Sequence, residues 1–303
     1  MKINNEPVVV LKGRASKHLS EVIKLVKLGL SPMLIGPAGC GKTTLARQVA
    51  TSLKLNYSTV CLTAGASETW LFGRQTPVGF IDGPFSTRYR EGGVFFCDEM
   101  DAADANLLLS INTALSSDVL FNPMNGETIE RHKDFVMIAA ANTNGKGGDH
   151  VYTGRTKLDA STLDRFISVP VDYDVNLESE LCPNAGMFQL LSNIRAQLIQ
   201  MRSDEVLSTR AFDFAQKQLS GGFDARVILN RMTLSWNDSA KQMAIKELGL
   251  YQDILNKQKP DEPKKRGRPA KSATTPPGPD DKLVRLSKAI ITWPDITIEK
   301  DDE

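Results

Sequence analysis

The chain has 303 residues, a formal net charge of +1 and 41% hydrophobic residues, ample for one α/β core plus a smaller domain. No apolar run approaches the length of a membrane span, and residues 1–6 lack the hydrophobic stretch of a signal peptide, so a cytoplasmic protein is expected. Four cysteines (Cys40, Cys61, Cys97, Cys182) without pair spacing, and three histidines (His18, His132, His150) with no metal-pair spacing, argue against disulfides and a zinc cluster.

Residues 16–28 put Leu19, Val22, Ile23 and Val26 on one side of an amphipathic helix. Residues 31–35 are a short apolar run that predicts a buried strand, and residues 44–53 carry apolar side chains at helical spacing. Between them Gly36, Pro37, Ala38, Gly39, Cys40, Gly41, Lys42 and Thr43 complete the phosphate-cradle pattern G-x-x-x-x-G-K-[ST]. Its glycines let the backbone curl so that successive amides face a β-phosphate, while the following helix, which opens with Thr44, offers the positive end of its dipole. Lys42 is expected to reach the β- and γ-phosphates, and the Thr43 hydroxyl to ligate Mg²⁺.

A second strand is predicted over residues 57–63. Residues 94–99 form an apolar strand that ends in two acids, so Asp98 is expected in the Mg²⁺ sphere and Glu99 beside the attacking water. Within residues 118–131, Asn125-Gly126 flanked by Phe121 and Ile129 signals a hairpin. The apolar run 135–141 then leads to Asn142 at the same carboxyl edge, where ligands bind in open α/β sheets. Its uncharged amide can hold the water between itself and Glu99.

A fifth strand is predicted at residues 166–171, and strand signals vanish after about Tyr173. Residues 187–201, 209–219 and 224–248 read as helices, with Gly221-Gly222 as the break between the last two. The organisation expected is a nucleotide-binding α/β core (1–175), a helical lid (176–255), a basic disordered linker (256–281) and a C-terminal segment (282–303). Residues 257–271 hold seven Lys and Arg against two acids and include Lys265-Arg266-Gly267-Arg268-Pro269. That core resembles an AT-hook, in which Arg266 and Arg268 enter an A·T-rich minor groove. A solvated basic linker is the competing reading.

Residues 36–46, 79–104, 138–148, 153–166 and 208–222 together resemble the AAA+ ATPases, in the branch of MoxR-type and dynein-related domains. Within it the chain is similar to the small ATPase subunit of cobaltochelatase and to activator ATPases that pair with von Willebrand A-domain partners. The resemblance implies a P-loop core of parallel sheet between helical layers, followed by a small helical lid, with ATP and Mg²⁺ as cofactors. It implies that Asn142 is a polar sensor, Arg165 an arginine finger given to a neighbouring subunit, and Arg210 a second sensor from the lid, with Arg155 a further trans-acting candidate. A planar guanidinium can neutralise the charge that phosphoryl transfer loads on the γ-phosphate. It also implies a homo-oligomeric ring of six, in which the 118–131 hairpin faces the channel or a partner; a plain connecting hairpin is the alternative. Three outputs follow as expectations: remodelling of a partner protein, a DNA-directed motor using the basic tail, or the ATPase subunit of a metal chelatase.

Overall fold

The computed structural model describes residues 15–258 except 64, 149–151 and 153, with side chains through Tyr251. The AT-hook-like stretch and the segment 282–303 lie outside the described residues. Helix α1 (Leu19–Lys27) leads into β1 (Pro32–Ile35), α2 (Lys42–Leu53) and β2 (Tyr57–Cys61). Next come α3 (Glu68–Phe72), the hairpin of β3 (Gly73–Thr76) and β4 (Gly79–Asp82), and α4 (Pro84–Glu91). Strand β5 (Gly93–Asp98) is followed by α5 (Ala105–Ser117), the hairpin of β6 (Val119–Phe121) and β7 (Thr128–Glu130), and β8 (Phe135–Ala141). A short α6 (Ala160–Leu163) and β9 (Ile167–Pro170) close the core. Five helices follow: α7 (Val175–Leu181), α8 (Ala185–Gln200), α9 (Thr209–Ser220), α10 (Ala225–Met232) and α11 (Asp238–Gln258).

The main sheet has five strands in the order β2-β5-β8-β1-β9, and every pairing is parallel. Both faces of the three central strands are covered, which is why β1, β5 and β8 are continuous apolar runs rather than alternating ones. Leu34, Val94, Phe96, Ile138 and Ala140 face α1 and α2, where Val22, Leu45 and Val49 are fully buried. Met33, Phe95, Cys97, Met137 and Ala139 face the opposite layer, packed with Phe72, Phe85, Tyr89 and Ile111. Phe85 anchors that layer, edge-on to Phe72 at 5.6 Å and to Phe95 at 5.1 Å. Because β8 lies between β5 and β1, the end of β8 falls between the glycine-rich loop and the Asp98-Glu99 pair. The topology delivers the site.

The last five helices bury a cluster of their own, with Leu190, Ile194, Phe212, Ile228 and Trp236 at its centre. The helical region departs from expectation in two ways. The stretch read as one helix over 224–248 is two, because residues 233–237 turn: Thr233 Oγ1 bonds back to the Leu229 carbonyl, and the Asn237 side chain accepts from Ala240 N to open α11. That second helix reaches Gln258, past the expected lid boundary at 255. The hairpin expected within residues 118–131 is present as β6 and β7, with Asn125-Gly126 inside its loop. Strands β6 and β7 pair from Phe121 to Thr128, leaving a six-residue loop that the Asn122 and Asn125 side chains organise by accepting from Met124 N and Glu127 N. The β3–β4 hairpin was not anticipated. Among the described residues no helix is long and apolar enough to cross a membrane.

Candidate functional site

Two glycines of the loop between β1 and α2 lie where a side chain would collide with a neighbouring segment. A Cβ on Gly36 would strike the Val171 carbonyl. Gly39 takes φ +72°, and a Cβ there would meet Ser208 Cβ at 2.6 Å. Ser208 is the residue before α9, so the lid begins in van der Waals contact with the loop, an approach that a side chain would block.

Lys42 is buried. Its Nζ donates to the Gly36 and Pro37 carbonyls at 2.7 and 3.1 Å and to Asn142 Oδ1 at 2.8 Å. Burial lowers its pKa, partly offset by Cys40, Asp98 and Asp101 nearby. On the next residue, Thr43 Oγ1 donates to Asp98 Oδ2 at 2.8 Å. The expected phosphate-side residues from three separate motifs therefore converge within hydrogen-bond distance at one edge of the sheet.

Glu99 follows Asp98 with φ 55°, in the left-handed region that non-glycine residues seldom adopt. Such strain concentrates at functional positions. Arg155 Nη2 lies 3.2 Å from Glu99 Oε1, and the Cys61 thiol donates to the other oxygen at 3.5 Å. Burial alone would raise the Glu99 carboxyl, but Arg155 and Cys61 outweigh it and hold the pKa below the usual carboxylate range. Burial and the acids together push the Cys61 thiol up to about 11. Arg155, implied above as a trans-acting group, stands in its own subunit's site, because its Nη1 also reaches fully buried Asp101 at 3.4 Å.

Asp101 escaped the sequence reading, although it follows the two acids closely. Its Oδ2 accepts from Asn142 N, Thr143 N and Thr143 Oγ1 at 2.9–3.1 Å, so it fixes the end of β8. No periodicity marks such a residue; its signal is an acid inside a motif rather than on a solvated face. Tyr152 and Tyr173 were likewise missed. They bracket the Ala38 peptide, whose N–H donates to Tyr152 Oη at 2.8 Å and whose carbonyl accepts from Tyr173 Oη at 3.2 Å.

The loop, Asp98, Glu99, Asn142 and the lid enclose a cavity of about 490 Å³. Arg210 lines it from the lid side, together with Leu177, Leu181 and Asp213. Arg165 does not line it. Its guanidinium binds α5 through the Asn112 carbonyl and Ser116 Oγ, at 3.2 and 2.8 Å, and reaches the Ser161 carbonyl.

Residues 31–166 match the family of the AAA domain (dynein-related subfamily). The denitrification regulatory protein NirQ of Pseudomonas aeruginosa is 30% identical over 231 residues, which cover 70% of this chain and 85% of that protein. This chain belongs to the dynein-related AAA family. It is therefore an ATP-binding AAA+ ATPase of the MoxR-like type. Other members of similar sequence include NirQ of Stutzerimonas stutzeri, 27% identical over 215 residues (65% of this chain, 75% of that one). An uncharacterised protein of Staphylococcus epidermidis is 31% identical over 159 residues, covering 49% of this chain and 58% of that protein. A crystal structure of NtrX from Brucella abortus in complex with ADP overlays at TM-score 0.44 and 17% identity, over 81% of this chain and 50% of that chain.

Proposed function

We propose that this AAA+ ATPase hydrolyses ATP with Mg²⁺ in the cavity between core and lid, as a subunit of a homo-oligomeric ring of six, and uses the lid movement to remodel or activate a partner protein. The observation that carries the reading is the convergence of Lys42, Thr43, Asp98 and Asn142 through contacts of 2.8 Å beside Glu99. Backbone amides between Gly39 and Thr44 wrap the phosphates, and Lys42 exchanges its loop carbonyls for phosphate oxygens.

Two hard oxygen donors, Thr43 Oγ1 and Asp98 Oδ2, already lie side by side, a donor set that fits Mg²⁺. Bound there, the ion would neutralise charge on the phosphate oxygens. Glu99, kept ionised by Arg155, accepts the proton of the attacking water, and the Asn142 amide helps to hold that water. Arg210 enters from the lid toward the γ-phosphate. Arg165 serves the neighbouring subunit's nucleotide, a reading supported by its place between α6 and β9, where its guanidinium bonds to α5 and does not line its own cavity. The NirQ relatives are named as regulatory proteins, which supports an output directed at a partner, here a protein with a von Willebrand A domain. The site of action is the cytoplasm, where ATP and Mg²⁺ are at hand.

A second reading rests on the Arg266-Gly267-Arg268-Pro269 core, which would add a DNA contact without changing the ATPase. Phosphate release at graded protein concentrations tests the main proposal. Turnover is expected to need Mg²⁺ and to rise steeply as subunits assemble. Specific activity that is independent of concentration in a monomeric protein would refute the ring.

A further inference from the structure

Glu178 on α7 is 1% exposed, a burial that an isolated carboxylate would not tolerate. It accepts both Nη groups of Arg195 on α8 at 2.8 Å each and the Thr209 hydroxyl at 2.6 Å. Arg195 Nε donates to the Leu207 carbonyl at 2.8 Å. The guanidinium carbon sits 4.0 Å from the Tyr173 ring centre and 4.7 Å from that of Phe212. All three guanidinium nitrogens and both carboxylate oxygens are used.

Stability is a poor reason for this arrangement, because apolar side chains of like volume often serve as well or better than a buried ion pair. A bidentate fork supplies fixed geometry. Here it ties α7, α8 and the first residues of α9 into one register, and the residue after Thr209 is Arg210. One residue before Thr209, Ser208 packs over Gly39 of the phosphate loop. On the opposite side the Tyr173 ring lies under Arg195 while its hydroxyl holds the Ala38 carbonyl. The pair thus stands between the lid arginine and the loop, in touch with both through one residue each.

We propose that Arg195 and Glu178 are a positioning pair that sets the lid against the phosphate loop and so places Arg210 over the nucleotide, with Tyr173 carrying that setting to Ala38. The effect on turnover rests on the reading of Arg210 as a γ-phosphate group; the effect on lid placement does not.

The full-length Arg195→Met protein keeps the apolar stem and loses the fork. Its kcat for ATP is expected to fall about tenfold with KM within about threefold, and the fall should vanish in an Arg210→Ala background, where there is no guanidinium left to place. Hydrogen exchange at residues 207–212 should quicken about tenfold while the sheet strands stay protected. Wild-type kcat, losses that multiply in the double variant, or unchanged exchange at 207–212 would each overturn the proposal. If Arg210→Ala itself turns over ATP at the wild-type rate, the sensor reading falls, and exchange at 207–212 then decides the positioning claim by itself. Should Arg195→Met fail to fold, Tyr173→Phe removes a single hydroxyl and leaves the ring in place. Its kcat is expected to fall about threefold, again only when Arg210 is present, and a wild-type rate overturns the proposal.

Discussion

Replacing Arg155 with Met strips the partner from two acids of very different exposure. The Asp101 side chain is fully buried and that of Glu99 is 37% exposed, at 3.4 and 3.2 Å from the guanidinium. Removing one member of a buried pair costs about 3–5 kcal/mol because it strands the other charge. Three hydrogen bonds remain on Asp101 Oδ2, which pulls the cost toward the lower end. The half-solvated Glu99 arm adds at most about 1 kcal/mol. Together these give a loss of about 3–4 kcal/mol, which in a unit of this size lowers Tm by roughly 6–16 °C. Thermal unfolding followed by circular dichroism reads that shift. Asp101→Asn removes the stranded charge, so the double variant should be less destabilised than the sum of the singles, with a coupling of about 2 kcal/mol. An Arg155→Met protein within about 0.5 kcal/mol of wild type, or strictly additive variants, would refute the bridge.

Gly39→Ala combines a left-handed backbone position, costing about 1–2 kcal/mol, with a Cβ placed 2.6 Å from Ser208 Cβ. It should push the lid outward and weaken binding of a fluorescent ATP analogue about tenfold, with partial recovery in a Ser208→Gly background; unchanged affinity would contradict the close approach. Arg165→Ala is expected to bind ATP normally and to lose about 10³-fold in turnover. Mixing it with Glu99→Gln subunits should restore part of the activity, and a mixture as inactive as its components would count against a group supplied in trans. Deleting residues 257–281 should leave hydrolysis and assembly largely intact. Intact protein should prefer A·T-rich over G·C-rich duplex in a salt-sensitive way that Arg266→Ala with Arg268→Ala removes, and equal binding to both duplexes would leave the tail a solvated linker.

The sheet was readable because a parallel strand covered on both faces writes itself as an unbroken apolar run. The run 135–141 coincides with β8 to the residue, and the one before Asp98 coincides with β5 but for Gly93. Motif order then told which strand ends meet, and Lys42 bonds Asn142 across a hundred residues of sequence. Long-range polar pairing was not readable. Arg155 sits in an irregular loop, where no periodicity distinguishes a partner in the same subunit from one in the next. The Asp101 bonds to the end of β8 also leave no local mark. The break at residues 233–237 contains neither Gly nor Pro and is made by side chains of Thr233 and Asn237 that could equally have faced solvent. Lid placement was hidden for a similar reason. Gly39 reads as a loop glycine in any phosphate cradle, and its second use, admitting Ser208, exists only once the two segments meet.

The central claim is that one cluster at the carboxyl edge both holds ATP and breaks it, with the two tasks on different residues. Glu99→Gln keeps the side-chain volume and removes the carboxylate that receives the proton. Equilibrium binding of ATP and single-turnover phosphate release, measured on the same preparation, separate the tasks. Binding within about threefold of wild type with release slowed 10²-fold or more is the predicted result. Phosphate release by Glu99→Gln at the wild-type rate would contradict it.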